Sequence, residues 1–563
     1  STRTYSVDAV SIASFADLTL KNAFADFPDR FYLDVTNDVT VTGDLKIFDG
    51  ARLTSNDVYV DSSNSGNSAT LRLSGSNSDG EVSSAEVANL RIGFHHSGDV
   101  LVEAGAMLEV DKFTVFDGEV VIMGSDASGN PSTIISADRP TIGLARTGSL
   151  KVLAGGRLAS PGGSLGFIAP ATGSVLLDGK DPAGNPSRWD ASGPFTIYRG
   201  ALTVSGGAIL TTARADLSGG QHVIEGLGSS WTTGDLINID TSTVRVTNGA
   251  LISSFETNLE RSSQLLLEGG TNPNVVATWK ATNNAYVGGT EFGSAIGASK
   301  LELSGYALAD VGGTLKIWDH GEVNLGNSSK LTANRIENSL GGDFRFLGGT
   351  LAVDQFDGDL EHPGGTLAPG GLEAGGTTIV GDYSQLAGGA LRLDIGGTSP
   401  VGTFDLVTVA GAALIDGRLD LSLIGGFRPD ASDVLTTFSA NSLFGFFDNV
   451  NTGDRLDTSD GGGSFVVNYG VGSAFDPNQI VLSDFVPTPS PGDFDADGDI
   501  DGQDFLAWQR GESPDPTSLL DRVIWRFNYA GTLTPGAAAR AIPEPSTILL
   551  TGIGAIALIG RVV

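Results

Sequence analysis

The sequence contains no cysteine, and it is poor in methionine, histidine and cationic side chains. Its 563 residues include 2 Met and 5 His, and 33 Lys and Arg stand against 66 Asp and Glu, which gives a net charge of −33. Without thiols, the chain has no disulfides, no Cys-ligated zinc and no Cys nucleophile. Its negative charge disfavours binding to nucleic acid and to anionic membrane surfaces.

Charged residues are also scarce, at 18%, but 40% of the residues are hydrophobic, which excludes a disordered chain. Residues 1–30 contain no apolar stretch long enough for the core of a signal peptide, so we expect none there. One uncharged apolar segment, at 547–560, has fourteen residues. A membrane-spanning helix needs ~20, so this segment is short for a span.

Glycine is abundant, with 79 residues, and it punctuates a recurring phrase. Each copy has a small turn, two alternating apolar residues, a Gly-containing turn and another apolar residue. The clear copies are GDLKIFDGARL (43–53), GDVLVEAGAML (98–108), GSLKVLAGGRL (148–158), GALTVSGGAIL (200–210) and STVRVTNGALI (242–252). Weaker copies are GTLKIWDHGEV (313–323) and GGALRLDIGG (388–397). The alternation has period two, so the phrases predict β-strands.

The leading apolar residues of the clear copies are separated by 55, 50, 52 and 42 residues; they are Leu45, Val100, Leu150, Leu202 and Val244. Repetition at this period is typical of a solenoid or a propeller. We favour a β-solenoid because the strands are short and the spacing drifts. A coil of ~20–25 residues would make each repeat two coils. Helical periodicity is absent between about 40 and 486.

The segment GLGSSWTTGDLINIDTSTVRVTNGA (226–250) resembles the short repeat shared by autotransporter passengers and PEP-CTERM surface proteins. The resemblance implies a parallel β-helix that is secreted or held on the surface of a Gram-negative-type bacterium. We predict that Trp189, Trp231 and Trp279 pack inside it and do not bind sugar. From residue 364 onward the chain resembles the C-terminal part of the same family. This implies an antiparallel cap, with closing strands at 464–470 and 479–485.

The strongest motif for chemistry is DFDADGDIDGQD, at 493–504. Aspartate occupies loop positions 1, 3, 5, 7, 9 and 12; these residues are Asp493, Asp495, Asp497, Asp499, Asp501 and Asp504. This spacing wraps hard oxygen ligands around one Ca²⁺, and Gly498 allows the sharp turn. We expect Asp499 to bind through its backbone carbonyl, Asp501 through water, and Asp504 to close the shell. The alternative is an acidic linker.

The helix after this loop, DFLAWQRG (504–511), is echoed by DRVIWRFNYAG (521–531). Together they resemble a type I dockerin, which has two loop–helix halves and implies a cohesin-like partner. The second half has lost its loop and retains only Asp515 and Asp521, so we predict one Ca²⁺. We expect the two helices to pair through four apolar side chains, those of Leu506, Trp508, Val523 and Trp525.

The last segment, IPEPSTILLTGIGAIALIGRVV (542–563), resembles a PEP-CTERM sorting signal. Its motif is Pro543, Glu544 and Pro545, followed by the apolar segment, for which we predict a helix at 546–560. The resemblance implies cleavage by an exosortase-type enzyme and transient membrane contact. The terminal arginine cluster of the family is reduced to Arg561. The alternative is a disordered apolar tail.

We therefore predict an all-β parallel β-helix, or β-solenoid, with a β cap, followed by a small α-helical calcium module and a C-terminal apolar helix. The predicted segments are an N-terminal cap (1–40), the solenoid (41–425), a C-terminal β cap (426–486), a Pro-rich linker (487–492), the dockerin-like module (493–531), a second linker (532–541) and the sorting segment (542–563).

The predicted function is that of a secreted, non-enzymatic structural protein of the cell surface or biofilm matrix. Such a solenoid could associate head to tail into filaments. One alternative is an adhesin or polysaccharide-binding module. A less favoured alternative is a β-helix polysaccharide lyase or hydrolase, which is disfavoured because the 33 Lys and Arg residues form no cluster along the sequence.

Overall fold

A computed structural model describes residues 3–7, 10–12, 17–21, 31–63, 68–77, 80–291, 293, 297–371, 373–400, 402–495, 499–516 and 518–529. The chain divides into two compact units, residues 1–486 and 487–563. The first is built of β-strands, and the second contains two helices. The prediction of an all-β solenoid followed by a small helical module is confirmed.

The first unit contains two sheets whose strands pair almost entirely in parallel. The smaller sheet has fourteen described strands: Asp17–Lys21, Asp44–Phe48, Ala69–Ser74, Gly98–Glu103, Gly118–Met123, Thr147–Leu153, Thr172–Asp178, Gly200–Ser205, Gly220–Glu225, Ser242–Thr247, Gln264–Glu268, Ser299–Ser304, Gly321–Leu325 and Asp343–Phe346. Each strand pairs with the next in this order, so the smaller sheet forms one continuous face.

The larger sheet has thirty described strands: Arg3–Val7, Val10–Ile12, Phe31–Val41, Arg52–Val60, Ser84–Ile92, Met107–Val115, Thr133–Ser136, Thr141–Ile142, Arg157–Ser160, Gly163–Leu165, Arg188–Ile197, Ile209–Leu217, Ser230–Thr233, Leu236–Asp240, Leu251–Ser254, Glu256–Glu260, Ala277–Ala281, Ala285–Val287, Ala307–Ile317, Lys330–Glu337, Thr350–Asp357, Leu360–Leu367, Gly376–Ile379, Tyr383–Ile395, Leu406–Ile415, Arg418–Leu423, Leu435–Gly445, Arg455–Asp457, Gly463–Asn468 and Gln479–Pro487. It follows two faces of the solenoid.

A bend within each long strand separates these two faces. Arg188–Ile197 pairs first with Arg157–Ser160 and then with Gly163–Leu165, and its register shifts between Ala191 and Pro194. With the smaller sheet, the two faces enclose an interior with three sides. The coil length varies because turns of different length join the faces. Gly98 pairs with Gly118, 20 residues on, whereas Gln264 pairs with Lys300, 36 residues on.

The clear repeats fall on every second strand of the smaller sheet. Leu45, for example, pairs with Leu71, which pairs with Val100, the leader of the next repeat. The prediction of two coils per repeat is confirmed for all five clear copies. The weaker copies at 313–323 and 388–397 begin instead on strands of the larger sheet.

Alternation along each strand builds the core. In Thr147–Leu153, Leu150 and Val152 are fully buried, and the residues between them are part-exposed. Burying one such side chain contributes about 1.5–3 kcal/mol. Because neighbouring coils are in register, these side chains stack in columns along the solenoid, and stability accumulates through contacts between adjacent coils.

The three predicted interior tryptophans form one such column and are fully buried. Trp189 and Trp231 each pair with Leu210, and Trp231 and Trp279 each pair with Ile252, so tryptophan recurs in every second coil. Their indole N–H groups donate to hydroxyls of the preceding coil, at 2.8, 3.1 and 3.2 Å; the acceptors are Ser160, Thr212 and Thr257. The prediction that these tryptophans pack inside is confirmed.

Glycine in the turns between faces allows close packing of successive coils. Gly155 has a φ of +89°, and a Cβ on it would lie 2.7 Å from the Cβ of Asp181 in the next coil. Asp181 in turn holds a loop closed by accepting from the backbone N–H and the side-chain amide of Asn185, at 2.8 and 2.9 Å. A side chain at residue 155 would therefore displace this loop.

The pairing changes from parallel to antiparallel near the C-terminal end of the first unit. Parallel pairing begins with Arg3–Val7 and continues to Leu435–Gly445, so it extends beyond 41–425 in both directions. Leu435–Gly445 then pairs antiparallel with Gln479–Pro487, and Arg455–Asp457 pairs antiparallel with Gly463–Asn468. The predicted antiparallel closing strands are thus present.

The second unit contains helix α1 (Gly502–Arg510) and helix α2 (Leu519–Tyr529). These are the only helices among the described residues, in agreement with the predicted helical region at 502–530. The predicted helix at 546–560 lies outside the described residues.

Candidate metal centre

The aspartate-rich loop leads directly into helix α1. Asp501 is the N-cap of this helix, and its carboxylate accepts from the backbone N–H of Gln503 at 2.6 Å. The carboxylate of Asp504 reaches back to the backbone N–H of Asp501 at 2.7 Å and completes a capping box. This arrangement anchors two predicted ligands on a regular helix.

Asp504 also closes the loop onto the helix. Its other carboxylate oxygen accepts from the backbone N–H groups of Phe494, at 2.6 Å, and Asp495, at 3.3 Å. Asp504 is fully buried and Asp493 is nearly so. A buried carboxylate is costly unless hydrogen bonds or a cation compensate its charge. Asp504 therefore lies at the centre of the loop, where the sequence placed the closing ligand.

Two groups of carboxylates converge on Asp504. Ligand oxygens of Asp493, Asp495 and Asp504 lie within 4.8 Å of one another, as do those of Asp499, Asp501 and Asp504. Five of the six predicted ligands are therefore brought together. Ca²⁺ takes six to eight oxygen ligands at 2.3–2.6 Å, a chemistry that this donor set fits.

The sixth predicted ligand, Asp497, and the turn glycine Gly498 lie outside the described residues. The carboxylate oxygens of Asp499 and Asp501 both belong to the second convergent group. Binding through the backbone carbonyl of Asp499, and through water for Asp501, stays a prediction.

The second half differs, as the sequence predicted from its lost loop. Asp521 is buried, and its carboxylate accepts from the backbone N–H of Asp515 at 3.0 Å. The metal-competent groups of the described residues do not include either aspartate. Asp521 therefore accepts a hydrogen bond from the turn before helix α2, and it is the third residue of that helix, as Asp504 is of helix α1.

The two helices contact each other through aromatic rings, and the predicted contact set is partly wrong. The ring centroid of Trp525 lies 4.9 Å from that of Phe505, and the Phe505 ring stacks on Trp508 with a centroid distance of 5.5 Å. Leu506 and Val523, both predicted to pack, are each 47% exposed. Asp504 and Ala507 are the buried residues of helix α1, and this orientation of the helix directs Phe505 toward helix α2.

The indole N–H groups in this unit bind the backbone of the loops. Trp525 donates to the carbonyl of Asp501 at 2.7 Å, and Trp508 donates to the carbonyl of Ser518 at 2.8 Å. Each tryptophan therefore ties a helix to the segment preceding the other helix. This support of the Asp501 backbone was not predicted from the sequence, although the repeated Trp at equivalent positions was the available signal.

No protein-family model matches the chain. A curated relative is the Adhesin BmaC autotransporter of Brucella suis biovar 1 (strain 1330), which is 26% identical over 310 residues. The match covers 49% of this chain and 9% of the relative, so the chain corresponds to a small part of that protein's length. A solved structure, the Haemophilus influenzae Hap adhesin, is 11% identical with a TM-score of 0.25; the match covers 80% of this chain and 64% of that one.

The sorting motif Pro543, Glu544 and Pro545 lies outside the described residues. Neither helix of the described part of the chain is long and apolar enough to cross a bilayer.

Proposed function

We propose that the chain is a non-enzymatic adhesin-type protein of a Gram-negative bacterial surface. The observation that carries this proposal is the parallel β-solenoid, together with 310 residues of similarity to a protein named as an autotransporter adhesin. A stack of coils in register gives a stiff body with long, repetitive outer faces. Such a body suits the presentation of a binding surface away from the cell.

Surface exposure and attachment test this function together. Intact cells of the source bacterium, labelled with a membrane-impermeant amine reagent, should yield labelled protein, and a deletion strain should attach less well than the complemented strain. Labelling that appears only after lysis, or unchanged attachment of the deletion strain, would contradict the proposal.

A structural function, as spacer or matrix filament, is the second candidate. It is supported by the strands of the first coil. They pair with the second coil on one side, and no described strand pairs with their other edge. Exposed strand edges can template pairing with another copy. Attachment that depends only on assembly of the protein, and not on a ligand surface, would favour this candidate.

We further propose that the second unit is a calcium module of dockerin-like type and that it holds one Ca²⁺. The convergence of four carboxylates on that of Asp504 supports one site. A cohesin-like protein is the partner implied by the resemblance. The loss of the second loop reduces the surface that such a partner would contact, so we expect binding to depend on the first half.

We also propose that residues 542–563 are a sorting segment, cleaved near Pro543–Pro545 by an exosortase-type enzyme after transient membrane contact. The motif and the apolar run that follows it support this proposal. The intact mass of the native protein tests it, and a mass that extends to Val563 would contradict cleavage.

The enzyme alternative has one structural feature in its favour. A groove of about 560 Å³ crosses the first coils and contains four carboxylates, those of Asp34, Glu86, Glu109 and Asp111. However, Asp34 accepts from the hydroxyl of Thr54 at 2.9 Å, and Glu86 pairs with Arg52. We expect no release of unsaturated uronates or reducing ends from polysaccharides above a heat-treated control.

A further inference from the structure

One outer edge of the solenoid carries a continuous row of apolar side chains. We call it the apolar ridge; its members are Phe94, Phe116, Leu144, Phe167, Ile168 and Tyr198. They follow the last interior residue of five consecutive coils. Backbone hydrogen bonds align them, from Phe116 to Ile92 at 2.8 Å, from Ile168 to Leu144 at 3.1 Å and from Tyr198 to Leu165 at 2.9 Å.

Four of the six side chains of the ridge are exposed to solvent, and Phe116 and Leu144 are part-buried. Phe94, Phe167 and Ile168 are each about half exposed (49%, 51% and 50%), and Tyr198 is 37% exposed. Single exposed apolar residues are ordinary, but contiguous ones mark interaction sites. In the same coils, Phe113, Trp189 and Phe195 are fully buried, so aromatic rings lie both in the interior and on this outer edge.

The aromatic rings of the ridge support one another. The ring centroids of Phe94 and Phe116 are 5.0 Å apart, with an interplanar angle of 88°. Those of Phe167 and Tyr198 are 5.2 Å apart, with an angle of 87°. Such edge-to-face pairs are favourable and restrict the rings. Rings that are already held in place lose little conformational entropy when a ligand stacks on them.

Polar groups border the ridge. On the coil before it, the carboxylate of Asp61 pairs with the ring of His95 at 2.7 Å and accepts from its backbone N–H. Arg146 is exposed and donates to the carbonyl of His95 at 2.5 Å. On the coil after it, Ser218 takes the place of the aromatic residue. A pyranose ring has apolar C–H faces and a rim of hydroxyl groups. The apolar row is suited to contact the C–H faces, and the polar groups beside it are suited to hydrogen-bond with the hydroxyls.

We propose that the apolar ridge binds an extended, β-linked polysaccharide chain that runs parallel to the solenoid axis. This proposal deepens the adhesin function above and rests on it. Neighbouring coils are ~4.8 Å apart, a distance comparable with the length of one pyranose unit in an extended chain. Successive sugars would therefore meet successive coils and present their apolar faces to the aromatic rings.

The size of the ridge disfavours a second copy of the chain as the occupant. An aromatic side chain has roughly 150–250 Å² of surface, so the half-exposed members offer roughly 400 Å². A stable protein interface needs about 800 Å² from each partner. The ridge is also one side chain wide, which suits a linear polymer better than a folded surface.

Affinity electrophoresis of the full chain tests the ridge, with hydroxyethyl cellulose or xylan in the gel as β-linked probes and dextran as an α-linked control. We expect retardation by at least one β-linked polymer. The double variant Phe167→Ala/Tyr198→Ala should bind that polymer about tenfold more weakly. The matched control is Phe255→Ala, because Phe255 is similarly exposed, at 47%, but lies outside the ridge.

Circular dichroism and thermal unfolding should show that all variants are folded, because the substituted side chains are at the surface. No retardation of the unmodified chain by either β-linked polymer, or equal binding by the double variant, would overturn the proposal. A double variant that changes the mass measured by light scattering but not the retardation would assign the ridge to self-association. Surface labelling of cells is independent of all these results, so failure here leaves the surface location intact.

Discussion

His222 is a titratable side chain in the column of leading residues on the smaller sheet. It pairs with Leu202 on one side and Val244 on the other, and it is 1% exposed. Burial lowers the pKa of its imidazole from 6.5 to about 4. The interior therefore holds this ring in its neutral form.

This burial predicts acid-sensitive stability. Below pH 6.5 the unfolded imidazole takes up a proton, whereas the folded one stays neutral until about pH 4, so the free energy of unfolding falls across that interval. The loss from one such histidine is about 3 kcal/mol. His222→Leu should reduce the difference between urea midpoints at pH 7 and pH 4.

Phe255→Ala supplies the control, since it removes a side chain that is 47% exposed and has no titratable group. This variant should retain the pH dependence of the parent chain. A residual slope is expected in His222→Leu because burial also lowers the pKa of His362 to about 4. A slope that does not change in His222→Leu would show that its ring does not resist protonation.

Trp231 is a second residue whose burial makes a measurable prediction. Trp231→Ala removes a fully buried indole and leaves a cavity between Leu210 and Ile252, which should cost about 3–5 kcal/mol in the free energy of unfolding. Phe255→Ala, at the surface, should change it by less than about 0.5 kcal/mol. Equal urea midpoints for the two variants would contradict the packing described.

At the scale of elements, the loop and helix α1 bring five carboxylates together, and the proposed Ca²⁺ site depends on both. Titration calorimetry of the full chain should show one Ca²⁺, and Asp493→Ala/Asp495→Ala should abolish binding because it removes two of the convergent carboxylates. Asp515→Asn should retain it, because Asp515 donates a backbone N–H to Asp521 and belongs to no convergent group. Two sites of equal affinity, or none, would contradict the assignment.

The solenoid coil is the other recurrent element, and its order could be predicted only in part. Alternation in the clear repeats predicted the strands, a coil length of ~20–25 residues predicted two coils per repeat, and the interior position of the tryptophans was predicted together with the family resemblance. The face on which a phrase lies was not predictable: the weaker copies at 313–323 and 388–397 begin on the larger sheet. The face on which a strand lies depends on the length of the turns before it. The alternating phrase itself contains no information on that length.

At the scale of the whole molecule, the two ends of the first unit differ. The first coil has parallel strands with one edge unpaired by described strands, whereas antiparallel pairs occupy the C-terminal end. We expect calcium-dependent self-association, because Ca²⁺ would screen and bridge surfaces of a chain that carries −33 charges. Light scattering with Ca²⁺ and with EDTA measures it, and a monomer in both conditions would contradict it.

The sequence by itself determined the local features: period-two strands, glycine turns, the period of the repeat and the spacing of the aspartates in the acidic loop. These features depend on residues that are close together along the chain, so the alternation and spacing of residue types are enough to predict them. Tertiary structure decided which residues from different coils become neighbours. Stacking in register aligned Phe94, Phe116 and Tyr198, which are widely separated in sequence, on one edge, and helix rotation turned Phe505 inward in place of Leu506. Turn lengths and side-chain packing set both outcomes, and neither has a local signature.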